Sequence, residues 1–210
     1  MSAARALDAL AGRISEQRVV PVLRSASPTA LQDDVLRLAT AGFTTVEITT
    51  STPDWPAALQ AMRTHPSLAH LTFGVGTVTS ATDASRAIKA GADFLVSPYA
   101  ARAVRKAAGP TPFIEGGFTP ADIAAAASHG IAKLFPARTA GPGHLRSILD
   151  VLPAARIIPT GGLDIDDVEE WLAAGALAVG LGGGLTSKPV EQLRAALDRW
   201  QQIPTRPAHI

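Results

Sequence analysis

Eight short runs rich in apolar and β-branched residues recur along the chain, at 19–23, 45–49, 71–75, 94–97, 111–115, 131–135, 157–160 and 176–181. Most lack a strict alternation of apolar and polar residues, which is how strands covered on both faces of a parallel sheet read. Between them stands the chemistry of helix starts. Ser27-Pro28, Thr52-Pro53 and Thr119-Pro120 each set a capping hydroxyl before a proline suited to the first helical position. Segments 80–83 and 164–167 supply further hydroxylic or acidic caps, which also suit the helix dipole. Helices are expected to end near Gly42, Gly91, Gly130 and Gly175, each followed closely by the next strand. One extra amphipathic helix is expected at 3–16.

Strand and helix thus alternate eight times, which leaves an open doubly wound sheet or a closed barrel. No G-x-G-x-x-G run follows the first strand, and no linker separates two halves. Eight evenly spaced units favour a single (β/α)₈ barrel over residues 1–210, a fold that usually takes about 200 to 250 residues. Hydrophobic residues at 47% and charged residues at 18% supply one sizeable core. The Ala-rich segment 123–128 reads as a helix packed closely on the barrel.

The same composition excludes several classes of function. A formal net charge of +1, with no run of like charges, gives neither a nucleic-acid footprint nor a patch for anionic membranes. The absence of cysteine excludes disulfides, thiolate metal sites and a cysteine nucleophile, and it fits a cytoplasmic protein. No apolar stretch reads as a signal peptide or a membrane span. The five histidines form no cluster with carboxylates, and only His144 follows a strand end, so no metal site is expected.

In an eightfold barrel the working residues sit at the carboxyl ends of the strands. Those positions here hold Arg24, Glu47 with Thr49, Thr77, Ser97, Glu115, Lys133 with Phe135, Thr160, and the run Gly180-Leu181-Gly182-Gly183-Gly184. Lys133 is the sharpest signal. It lies in Ile131-Ala132-Lys133-Leu134-Phe135, where an ammonium is costly unless paired or deprotonated, and the chain has only four lysines among its 19 Lys and Arg residues. Desolvation favours a neutral amine, and a neutral amine attacks a ketone to form an imine. The residues alone also admit a bland reading, in which Lys133 snorkels out of the strand or neutralises Glu47 or Glu115.

Glu47 in Val46-Glu47-Ile48-Thr49 is again a charge within a strand. A carboxylate beside an amine can shuttle the protons that imine formation and C–C cleavage require, or it can be a structural partner. Thr160-Gly161-Gly162 offers a hydroxyl and amides to a ligand oxygen, as many strand-to-helix turns do. The 180–184 run either brings bare backbone N–H groups to a phosphate at the start of a short helix or simply closes the barrel.

Together these motifs resemble the pyruvate-dependent class I aldolases of the 2-keto-3-deoxy-6-phosphogluconate and 2-keto-3-deoxy-6-phosphogalactonate family. The resemblance spans residues 19–196. It rests on Pro21-Val22-Leu23-Arg24, Val46-Glu47-Ile48-Thr49, Gly74-Val75-Gly76-Thr77-Val78, Val96-Ser97-Pro98, Lys133-Leu134-Phe135-Pro136 and Pro159-Thr160-Gly161-Gly162, in order and each on its strand. The resemblance implies a lyase that reversibly cleaves a 2-keto-3-deoxy sugar acid (6-phosphate), or a related 4-hydroxy-2-keto acid, to pyruvate and an aldehyde. It implies Lys133 as the Schiff-base lysine and Glu47 as general acid/base. Arg24 and Thr160 would hold the pyruvate carboxylate, Thr77 and Phe135 would line the pocket, and Gly161, Gly162, Gly182, Gly183 and Gly184 would complete it. It further implies a homotrimer acting on a small keto acid without metal or cofactor.

The chain also departs from that pattern. Ser51 stands where gluconate-type members often place an arginine, and 46–55 is closer to the galactonate type. Glu115 precedes Gly116 where a proline is usual, and Gly183 and Gly184 replace a common serine. Weaker discrimination for a phosphorylated substrate is therefore expected. Two rivals remain: a Schiff-base keto-acid dehydratase or decarboxylase, and a non-catalytic trimeric ligand-binding barrel.

Overall fold

A computed structural model describes residues 3–204. Eight parallel strands, β1 (Val19–Leu23), β2 (Thr45–Thr49), β3 (Thr72–Gly76), β4 (Phe94–Val96), β5 (Phe113–Gly117), β6 (Ile131–Leu134), β7 (Arg156–Pro159) and β8 (Val179–Leu181), form one sheet in the order β7-β6-β5-β4-β3-β2-β1-β8. A parallel bridge between Thr160 and Gly180 joins the two ends of that order. The Leu177 N–H adds a bond of 2.9 Å to the Ile157 carbonyl, and the sheet curls into a nearly closed (β/α)₈ barrel.

The helices are α1 (Ala3–Gln17), α2 (Pro28–Ala41), α3 (Trp55–Thr64), α4 (Ala81–Ala90), α5 (Arg102–Ala108), α6 (Pro120–Ala127), α7 (Ala137–Val151), α8 (Val168–Ala173) and α9 (Val190–Gln201). Ser27 and Ser80 cap α2 and α4, and Thr119 with Asp122 forms a capping box on α6, each satisfying amides that the first turn leaves unpaired. Gly42 ends α2 at φ 106°, a conformation a side chain would resist. The start of α3 departs from expectation. Its N-cap is Asp54 rather than Thr52, and Pro56 follows in the first turn. Thr52 is instead buried, and its hydroxyl accepts from the Ser25 N–H at 3.2 Å. No short helix follows the 180–184 run; turns occupy 183–188, and α9 begins at Val190.

Strand parity sorts the side chains into two cores. Val46, Ile48, Phe73, Val75, Ala132, Ile157 and Val179 face the helices in the larger cluster. Val20, Phe94, Val96, Ile114, Ile131, Ile158 and Ala178 point into the barrel and pack against Leu10, Ala11 and Ile14 of α1. That amphipathic helix therefore stoppers the amino-terminal end of the barrel, and burying Ile14 completely contributes about 1.5–3 kcal/mol. The Gln17 amide at its end clamps β1 to β2, donating to the Val19 and Thr45 carbonyls and accepting from the Thr44 and Thr45 amides. With one end plugged, the carboxyl ends of the strands are left as the open mouth.

Candidate active site

Lys133 shares its parity with Ile131 of the inner cluster and lies in register with Ile158, so β6 aims its amine into the barrel. Glu47 comes from β2, nearly across the barrel, and its Oε1 lies 3.7 Å from Lys133 Nζ. The two residues are 4% and 6% exposed, so their charges interact in a medium far less polar than water. The separation is an ion-pair contact beyond hydrogen-bond length. Burial pushes the Glu47 carboxyl above the ordinary glutamate range, against the opposing pull of the Lys133 charge.

Close approach is made possible by missing side chains. A Cβ on Gly76 of β3 would sit 1.8 Å from Glu47 Oε1, so the carboxylate occupies the space that only glycine leaves. A Cβ on Gly180 would meet the Thr160 hydroxyl at 2.2 Å in the same way. Thr77, next in chain to Gly76, takes a left-handed φ of 60°, rare for a β-branched residue. Two bonds of 3.0 Å fix that turn: the Thr50 hydroxyl donates to the Thr77 carbonyl, and the Val78 N–H donates to Val96.

Above the pair opens a cavity of about 710 Å³. Glu47, Lys133 and Thr160 form its buried floor, with Thr77 and Phe135 at its sides. The Phe135 ring lies under the amine, with Nζ 5.6 Å from its centroid, a distance at which a cation is attracted to the ring face. Arg24, Gly161, Gly162, Gly182, Gly183 and Gly184 line the wall and rim. Arg24 is exposed and makes no hydrogen bond or ion pair with other described residues. Every residue that the resemblance placed in the site thus borders one cavity.

Two polar strand-end residues stay outside it. Glu115 has the opposite parity to Ile114, so it points outward, where its carboxylate pairs with Arg105 and accepts from the Ala101 N–H at 2.6 Å. It fastens α5 to the barrel. The Ser97 hydroxyl is turned into its own loop and donates to the Tyr99 carbonyl at 2.7 Å. Thr49, the strand-end neighbour of Glu47, also lines the cavity, as do Arg138 and Asp164, to which the resemblance gave no place in it. Thr49 was legible, since it lies two residues beyond Glu47 on one strand; its buried hydroxyl has no partner among the described residues and can serve a ligand. Among the described residues, no group of three or more His, Cys, Asp or Glu could hold a metal ion. His209 lies outside the described residues.

A second depression, of about 550 Å³, opens at the opposite end beside the Asp8–Arg156 ion pair and holds none of these residues. The candidate site residues are gathered at the carboxyl mouth. The fold and this mouth define a (β/α)₈ barrel with a lysine–carboxylate pair sunk beneath a polar cavity.

The family follows from comparison with known proteins. The profile of the family described as KDPG and KHG aldolase matches residues 10–203, and the chain belongs to that family, whose named members are aldolases and hence lyases. It is 32% identical over 199 residues to the 2-dehydro-3-deoxy-phosphogluconate aldolase of Pseudomonas aeruginosa, covering 90% of this chain and 85% of that one. It is 31% identical over 176 residues to a probable 2-dehydro-3-deoxy-6-phosphogalactonate aldolase of Rhizobium meliloti, covering 81% and 82%. The crystal structure of the 2-keto-3-deoxy-6-phosphogluconate aldolase of Zymomonas mobilis with 3-phosphoglycerate superposes with a TM-score of 0.78, at 26% identity over 98% of this chain and 99% of that one. No helix among the described residues is long and apolar enough to cross a membrane.

Proposed function

We propose that this chain is a class I aldolase that reversibly cleaves a 2-keto-3-deoxy sugar acid, or a related 4-hydroxy-2-keto acid, into pyruvate and an aldehyde. The observation that carries the reading is the buried contact of Lys133 with Glu47 at the floor of the mouth, in a chain of this aldolase family. In its neutral form the Lys133 amine adds to the C2 carbonyl, and loss of water gives an iminium. Glu47, directly or through a water, takes the proton of the C4 hydroxyl as the C3–C4 bond breaks. The bonding electrons pass into the iminium, leaving an enamine and releasing the aldehyde. Protonation at C3 and addition of water then return free amine and pyruvate.

Arg24 and Thr160 are assigned to the substrate carboxylate. The guanidinium has no competing partner among the described residues, and the hydroxyl borders the floor beside Lys133. Thr77 and Phe135 confine the reacting carbons, and the amides of Gly161, Gly162 and Gly182–Gly184 receive the remainder. Residues 1–210 are proposed to act as one barrel domain, and the assembly as a cytoplasmic homotrimer, on the strength of the family resemblance. Sedimentation at three times the chain mass is the expected result. The function is tested by following pyruvate release across a panel of keto-deoxy acids. Stoichiometric pyruvate and aldehyde are expected; release of a keto acid without aldehyde would replace the aldolase by a dehydratase or decarboxylase.

A further inference from the structure

The exposed rim of the cavity carries two charges of opposite sign beside its glycines, Arg138 and Asp164, and they are not equally free. The Arg138 guanidinium is engaged on both sides. Its Nε donates to the Gly162 carbonyl, and its Nη2 is 2.9 Å from the Asp167 carboxylate, which neutralises it. Asp164 has no ion pair among the described residues; its side chain caps the following turn, accepting from the Ile165 N–H at 2.7 Å and from the Asp167 N–H, and both of these partners are uncharged. Its carboxylate stands over the glycine corner, where a Cβ on Gly184 would come within 3.0 Å of Oδ1 and 3.9 Å of Oδ2.

Bare glycine amides attract anions, so the corner would by itself suit a phosphate. A dianion seated there would meet a carboxylate that no cation among the described residues neutralises, and like charges at such distances repel. A hydroxyl meets no such penalty. It donates to the carboxylate and accepts from an amide.

We infer that Asp164 is a specificity-determining residue, turning the glycine corner toward keto-deoxy acids whose far end carries uncharged hydroxyls rather than a phosphate ester. The inference rests on the aldolase reading, and Arg138 acts in it as a brace for the Gly161-Gly162 turn.

The test compares kcat/KM for 2-keto-3-deoxygluconate and its 6-phosphate, at fixed ionic strength, in the intact protein and in Asp164→Ser and Asp164→Asn. Both substitutions remove the charge and keep a residue that caps the following turn. The expected result is a shift of the substrate ratio toward the phosphate by tenfold or more in both variants. A smaller shift, or a preference of the intact protein for the phosphate beyond a thousandfold, overturns the inference. Titration with inorganic phosphate, read by phosphorus NMR, gives an answer independent of turnover. Binding should tighten at least tenfold in Asp164→Ser, and unchanged affinity again overturns it. Trapping of pyruvate on Lys133 by borohydride reads the aldolase assignment separately. Trapping without a shift sinks only the role of Asp164; failure of trapping and of pyruvate release sinks the aldolase and leaves the phosphate titration to decide Asp164.

Discussion

Glu47, Thr49, Lys133 and Thr160 on the cavity floor are between 2% and 6% exposed, whereas Arg24, Arg138, Asp164 and Gly182–Gly184 on the rim are open to water. The floor stands on or directly beyond strands, in register with neighbours that leave it one geometry. The rim stands on the turns that follow. Charges on the floor act on one another with little screening, while an exposed pair such as Arg138–Asp167 is typically worth about 0–1 kcal/mol. Under the aldolase reading, bonds are made and broken on the strands, and the far end of the substrate is recognised on loops that tolerate change.

The largest effect is expected at Lys133. Lys133→Met keeps much of the stem and removes the nucleophile, so turnover should fall further than for any other single change. Measurable pyruvate release from a pure, folded Lys133→Met protein would move the chemistry away from the floor. Next is Glu47→Gln, which keeps the shape and cannot take a proton. General acid–base groups contribute about 10² to 10⁴ in rate, and a loss within that range is expected in steady-state assays. Near-normal turnover would leave Glu47 as a structural partner only.

The same variant tests the pH dependence. Burial raises the Glu47 carboxyl, so the folded protein holds that proton more tightly than the unfolded chain does. Its contribution to stability is fully present below the ordinary glutamate range and is lost as pH rises through the folded value. The acidic limb of kcat/KM should accordingly lie above the ordinary glutamate range and vanish in Glu47→Gln. Denaturant titrations across pH should lose the matching slope. A limb that survives the substitution belongs to another group.

Two glycines probe floor against rim by stability alone. Gly76→Ala must displace the Glu47 carboxylate, and overpacking of this kind costs about 1–3 kcal/mol. Gly183→Ala meets nothing within 4 Å and should fall within about 0.5 kcal/mol of the parent. Equal midpoints for the two variants in urea would mean that the floor is no tighter than the rim.

Much of the floor is legible in the sequence, and the reason is burial. Strands covered on both faces admit few residue types, so β1 and β2 appear with their observed bounds, and a lysine or glutamate inside such a run stands out. Glu115 shows the limit of that reasoning. It too is a charge within a strand, but one step of parity sends it outward to Arg105. Only the register that pairs Gly116, its chain neighbour, with Lys133 reveals this. The rim is less legible because its positions follow from turns. Asp164 reads as a helix cap, which it is, and nothing in the chain order places its carboxylate against Gly184, twenty residues away. The Thr52-Pro53 signal failed for a related reason. Thr52 is drawn into the core, and the cap falls to Asp54.

Lys133 is the proposed covalent centre of the floor. Incubation of the intact protein with pyruvate and borohydride, followed by peptide mass spectrometry, tests it most directly. A reduced pyruvate adduct is expected on the peptide bearing Lys133, and none after Lys133→Met. An unlabelled protein, or label only at Lys89, Lys106 or Lys188, would contradict it.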